Sequence, residues 1–155
     1  MVEIVRYTSV DDVGRAVNPM IVDGRTHGGI AQGIGQALWE RCDYDRETGQ
    51  LHSATFIDYA IPRADALPSF TTEISEVPST SNPMGLRGGG EGGLTPALGA
   101  VINAIVDALA ERGVEHVELP ATPERVWAAI QAAESQRSAE RRDARPCASS
   151  RRSPP

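Results

Sequence analysis

The chain has 155 residues and a formal net charge of −6, enough for one domain with a real core and too few for two large ones. Up to residue 135 there are 9 Arg against 19 acidic residues, whereas from Gln136 onward 6 Arg face only Glu140 and Asp143. An acidic body argues against nucleic acid as the main partner, and no apolar run approaches the roughly 18 residues that a membrane span needs. The first residues lack the basic and apolar regions of a secretory signal. Cys42 and Cys147 stand far apart, with no CxxC and no His at ligand spacing, so neither a disulfide framework nor a zinc site is indicated. A cytoplasmic chain is expected.

Residues 2–10 alternate and are β-rich, which predicts a strand. Asp11, Asp12 and Gly14 then turn the chain toward Asn18-Pro19, and turn chemistry is the plainer reading of the two carboxylates. Residues 21–41 have helical periodicity, with Ile30, Ile34, Ala37 and Leu38 as the apolar stripe. Gly28, Gly29, Gly33 and Gly35 sit inside that helix. Each interior glycine costs about 0.5–1 kcal/mol relative to alanine, so something must come close to the backbone there, either another helix or a flat ligand. Gln32 lies among them with an amide that needs a partner if buried. His27 reads as a helix-surface group.

Residues 40–44 and 50–56 predict a hairpin turned near Gly49, with residues 57–61 continuing its second arm. Residues 62–68 are a loop and 70–77 an alternating strand. An Asn82-Pro83 turn leads into the glycine cluster of residues 88–93, and residues 94–111 form a helix with Val101, Ile102, Ile105, Val106 and Leu109 at helical spacing. Gly113 is a C-cap signal, followed by a short strand over 114–119. Thr122, Pro123 and Glu124 open a last helix that buries Val126, Trp127 and Ile130 and ends near Ser135. Residues 136–155 are rich in Arg, Ser and Pro and read as a disordered tail after a domain covering residues 1–135. The class expected is α+β, a mixed sheet against two or three helices. The two glycine-bearing helices should lie together, with their glycines facing a shared cleft.

Glu91 is the one acidic residue of the glycine cluster. Backbone without side chains can approach a ligand closely, and a helix N-terminus presents unpaired N–H groups and a positive dipole. Glu91 is therefore either a complement to that dipole or a working acid/base. Gly88, Gly90 and Gly93 also spell GxGxxG, but no strand leads directly into them. The acidic residues about 20 positions on, Asp107 and Glu111, belong to the same helix, which rejects a dinucleotide fingerprint.

The succession VDDVGRAVNP, DGRTHGGIAQGIGQALWE, FIDYAIP, SNPMGLRGGGEGG, NAIVDALAERG and LPATPERVWAAI closely resembles the C-terminal part of the large subunit of the xanthine dehydrogenase/aldehyde oxidase family. It looks most like the aerobic carbon monoxide dehydrogenase branch. The resemblance implies a molybdopterin site, in the cytosine dinucleotide form, with Glu91 as the base beside molybdenum. It implies cofactor-side contacts from Asp12, Asn18, Gln32, Gly33, Arg87, Gly88 and Gly90, and no metal ligand in this chain. Iron–sulfur clusters and FAD would lie on partner subunits, and the remaining N-terminal part of the large subunit would be a further partner. The substrate class implied is an aldehyde, an N-heterocycle or carbon monoxide. Two departures stand out. Arg87 replaces the family's usual Lys, which keeps the cation but changes its geometry, and family large subunits are several times longer. The chain therefore reads as a fragment or split piece, inactive alone. The competing reading is a binding or interaction module that keeps the fold without turnover.

Overall fold

The computed structural model describes residues 2–143, with nothing stated for the Asp143 side chain. Its order is β1 (Tyr7–Asp12), α1 (Pro19–Leu38), β2 (Phe70–Ser75), α2 (Leu94–Ala108) and α3 (Pro123–Asp143). Short 3-10 turns occur at Ala64–Ala66 and Ala110–Arg112. β1 and β2 pair in parallel, with Tyr7 opposite Phe70 and Asp12 opposite Ser75. The α+β class is as expected. Among the described residues the sheet consists of this parallel pair, with α1 in the connection between its strands.

α1 begins where the sequence signals it. The Asn18 side chain accepts from the Ile21 N–H at 3.3 Å, and Pro19 fills the first helical position, where no N–H is needed. The helix ends at Trp39, whose N–H returns to the Gly35 carbonyl at 2.9 Å. Ile30 and Ile34 are fully buried, each contributing about 1.5–3 kcal/mol of apolar burial. They meet Val101 and Ile105 of α2 in a core completed by Val114, Val117, Ala121 and Ala133. α2 ends through the 3-10 turn into Gly113 at φ 83°, the left-handed position that glycine occupies without a Cβ clash.

Five local expectations change. The strand expected over residues 2–10 covers Tyr7–Asp12 instead, and residues 2–6 carry no regular structure. The hairpin over residues 40–56 is a single antiparallel bridge, Tyr44 to Leu51. Asp45 draws the chain into a turn by accepting from the Glu47 and Thr48 N–H groups at 3.0 and 2.7 Å. Residues 57–61 are turn and coil. Residues 114–119 are coil ending in a bend, and Val114 and Val117 enter the core from it. Trp127 is 63% exposed, while Ala133 of the same helix is buried.

The last helix also runs past Ser135 to Asp143. Composition alone misjudged residues 136–143. Ala, Arg and Glu are good helix formers, and Ser135 and Ser138 donate their hydroxyls to the carbonyls of Gln131 and Glu134 at 2.8 Å. Arg137 donates to the Glu111 carbonyl at 2.9 Å, which ties this extension to the end of the 3-10 turn. The rest of the expected tail, residues 144–155, lies outside the described residues.

Candidate functional site

Three pieces of backbone meet around the glycine loop of residues 88–93. The first is the turn after β1. Gly14, at φ 62°, bridges antiparallel to Leu86. The Arg87 N–H donates to the Val13 carbonyl at 2.9 Å, and the Arg15 N–H to the Gly85 carbonyl at 3.0 Å. This short zipper holds the start of the loop against the end of β1. Asn82 closes the turn that precedes it, its amide donating to the Leu86 carbonyl while accepting from the Leu86 N–H.

Asp12 locks the same corner. One carboxylate oxygen accepts from the Gly14 and Val77 N–H groups at 2.9 and 3.2 Å, and the other pairs with Arg87 Nε at 3.2 Å. These two backbone donors, with the Arg87 guanidinium adding to them, hold the Asp12 carboxyl below the ordinary carboxylate range. Arg87 Nε also donates to the Val77 carbonyl at 3.0 Å. Asp12 and Arg87, expected as cofactor contacts, thus fasten the loop to both strand ends.

The second piece is α1. A Cβ on Gly33 would lie 2.6 Å from the Ala97 Cβ and 2.7 Å from the Leu94 carbonyl, and one on Gly29 would lie 2.9 Å from the Leu94 nitrogen. Gly93 answers from the loop side, against the Thr26 carbonyl and the Ile30 nitrogen. The flat partner of these glycines is therefore α2 itself. Gly33 does not face an open cleft, which corrects the shared-cleft expectation at that position. Gln32, one residue earlier, is exposed, as is the cap residue Asn18.

The third piece is the start of α2. The Glu91 carbonyl accepts from the Leu94 and Thr95 N–H groups at 3.2 and 3.1 Å, so the loop's acid is built into the first turn of the helix. Its side chain is exposed, and among the described residues its carboxylate has no hydrogen bond or ion pair. Around it the glycines differ from those inside the helix contact. A Cβ on Gly88 would meet nothing within 4 Å, and one on Gly90 would meet only Arg25 Nη2 at 3.5 Å. Neither has positive φ. The fold itself does not require glycine at either position.

Sequence reading missed how Asp11 and Thr26 work. Thr26 is buried and donates its hydroxyl to Asp11 at 2.8 Å, and a Cβ on Gly92 would lie 3.1 Å from the same carboxylate. The pair spans β1, α1 and the loop, and no local signal announces a contact over 15 residues. His27 is more than a surface group. Its Nε2 lies 3.1 Å from the Thr72 hydroxyl, which donates to Asp23, and its ring stands edge-on to Phe70 with centroids 5.5 Å apart. The Asp23–His27 spacing of four was the available hint that one helix face engages β2.

Comparison with known proteins assigns the class. The model of the molybdopterin cofactor-binding domain matches residues 1–68. The nicotine 6-hydroxylase large subunit of Paenarthrobacter nicotinovorans is 44% identical over 125 residues, 81% of this chain and 15% of that one. The carbon monoxide dehydrogenase large chain of Hydrogenophaga pseudoflava is 34% identical over 125 residues, 81% of this chain and 15% of that one. Quinoline 2-oxidoreductase from Pseudomonas putida 86 superposes with a TM-score of 0.79 at 42% identity, covering 83% of this chain and 16% of that structure. The chain belongs to the molybdenum hydroxylase family and corresponds to a stretch of its large, molybdopterin-binding subunit. It spans about 15% of the length of the curated relatives it matches. Among the described residues no helix is long and apolar enough to cross a membrane.

Proposed function

We propose that this chain forms one wall of the molybdopterin site of a cytoplasmic molybdenum hydroxylase and carries its catalytic base, Glu91. The observation that carries this reading is the exposed Glu91 carboxylate directly after Gly88 and Gly90, two glycines with open space around them. Internal packing accounts for Gly29, Gly33 and Gly93 but not for these two. A group approaching from outside the chain accounts for them, and a planar cofactor fits a bare loop beside a helix N-terminus.

The residues divide by role in this proposal. Gly88, Gly90 and the exposed Gln32 amide would touch the cofactor. Asp12, Arg87 and Asn18 would hold the loop and the helix start in place, and Gly33 would act by admitting α2. The bound molybdenum centre, in the cytosine dinucleotide form of the cofactor, supplies two-electron oxidation. Glu91 takes up the proton released at the reacting group, which requires a carboxylate within hydrogen-bond reach of it. Relatives are named as a nicotine 6-hydroxylase, a carbon monoxide dehydrogenase and a quinoline 2-oxidoreductase. These names support an aldehyde, N-heterocycle or carbon monoxide type of small substrate as the one proposed here. Electrons would leave through iron–sulfur and FAD subunits.

Gly88→Val tests the wall directly. A Cβ there meets nothing within 4 Å, so the melting temperature should stay within about 2 °C of wild type, while molybdopterin content of the assembled enzyme should fall several-fold. Unchanged cofactor content would remove Gly88 from the site.

A further inference from the structure

Glu91 sits between two kinds of glycine. A Cβ on Gly88 meets nothing within 4 Å and one on Gly90 only Arg25 Nη2 at 3.5 Å, whereas both glycines that follow Glu91 are gripped. A Cβ on Gly92 would lie 3.1 Å from Asp11 Oδ1, and one on Gly93 would run into the Thr26 carbonyl. Neither of these two has a positive φ, so close approach rather than backbone conformation demands glycine there. Both grips come from one linked pair of residues outside the loop.

Thr26 lies inside α1 and is buried. A threonine within a helix commonly turns its hydroxyl to solvent or back to a carbonyl of its own preceding turn. The Thr26 hydroxyl instead crosses to Asp11 Oδ2 at 2.8 Å, and Ser9 Oγ donates to the same oxygen at 3.4 Å. The other oxygen, Oδ1, is the one nearest Gly92. A buried hydroxyl left without its acceptor is costly, so Thr26 fixes which way the half-buried carboxylate points. That carboxylate also lies beside the N-terminal end of α2, where the helix dipole favours negative charge. β1, α1 and the start of α2 thus converge on the two residues directly after Glu91. The Glu91 carbonyl is held from the same side, accepting from the Leu94 and Thr95 N–H groups at 3.2 and 3.1 Å.

We propose that Asp11 and Thr26 are positioning residues for Glu91, a clamp on Gly92 and Gly93 that sets where the Glu91 side chain leaves the loop. This rests on the reading of Glu91 as the base. A general base works only within hydrogen-bond reach of the proton it takes, and a displacement of about 1 Å can cost on the order of 100-fold in rate. Gly88 and Gly90 offer no packing that could hold Glu91 from the other side.

The test compares Thr26→Val, which removes the hydroxyl at nearly constant shape, with Thr26→Ser, which keeps it. In the full chain alone, amide exchange is followed by NMR. The Leu94 and Thr95 amides should exchange at least about 10-fold faster in Thr26→Val, with the later amides of α2 close to wild type. In the assembled enzyme, Thr26→Val should lower kcat at least about 10-fold, with KM and molybdenum content within about 2-fold of wild type. Thr26→Ser should stay within about 3-fold of wild type in kcat. Asp11→Ala removes the acceptor from a half-buried position and carries the same expectations if Thr26→Val does not fold. Added to Glu91→Gln, Thr26→Val should cost less than about 3-fold more, because it acts through that residue. The proposal is overturned by wild-type exchange at Leu94 and Thr95, by acceleration spread evenly over α1 and α2, by an unchanged kcat, or by losses that multiply with those of Glu91→Gln. Full turnover in Glu91→Gln would sink the base itself and leave the clamp to be decided by exchange. Unaltered exchange in Thr26→Val beside an inactive Glu91→Gln would sink the clamp and leave the base standing.

Discussion

Gly33 and Gly88 are the same residue under opposite constraints. Gly33 touches Ala97 and Leu94 so closely that a methyl group has no place, whereas Gly88 has open space. Gly33→Ala should therefore cost about 1–3 kcal/mol in urea unfolding, because α1 and α2 must separate to admit it. An unchanged midpoint would mean that the helices are not in this contact. Asp12 makes a prediction in pH. Its folded pKa is lowered by the Gly14 and Val77 N–H donors and by Arg87, so its contribution is present above the unfolded value near 4 and is lost as pH falls through the folded value. Asp12→Asn should melt below wild type at neutral pH and converge with it as pH falls below the unfolded and then the folded value. A gap independent of pH would show that the charge is not what holds the corner.

At the level of elements, what is legible in the sequence is what is decided locally. Asn18-Pro19, Gly113 and the stripe Ile30, Ile34, Ala37, Leu38 each act within a few residues, and each appears where its chemistry places it. The fate of residues 114–119 depends on whether a neighbour lies alongside, which no alternation pattern tells. The extension of α3 was hidden for the converse reason. Composition averages over residues 136–143, whereas a helix reads them one hydrogen bond at a time. The two roles of the glycines were also beyond sequence, since a helix partner and a ligand both demand a bare backbone. α1 and α2 hold the site through a few residues of one core, so Ile34→Ala should cost about 2–5 kcal/mol in denaturant unfolding. A loss under 1 kcal/mol would place Ile34 outside the contact that positions the loop.

The whole molecule carries its apolar surface in the open. Val5, Phe56 and Ile57 are 85%, 84% and 94% exposed. The wall that the Gly88–Gly93 loop offers encloses a cofactor from one side. The purified chain alone should hold negligible molybdenum and show no hydroxylase turnover, by metal analysis and dye reduction. Stoichiometric molybdenum in the isolated chain would contradict this. The most direct measurement concerns the carboxylate itself, in the enzyme assembled with its partner segments. Glu91→Gln keeps the side chain's size and leaves the backbone carbonyl that caps α2 in place. Turnover should fall at least about 100-fold, with molybdenum content and melting temperature close to wild type. Full activity in Glu91→Gln, with or without a small change in stability, would contradict the account and leave Glu91 as a partner of the helix dipole.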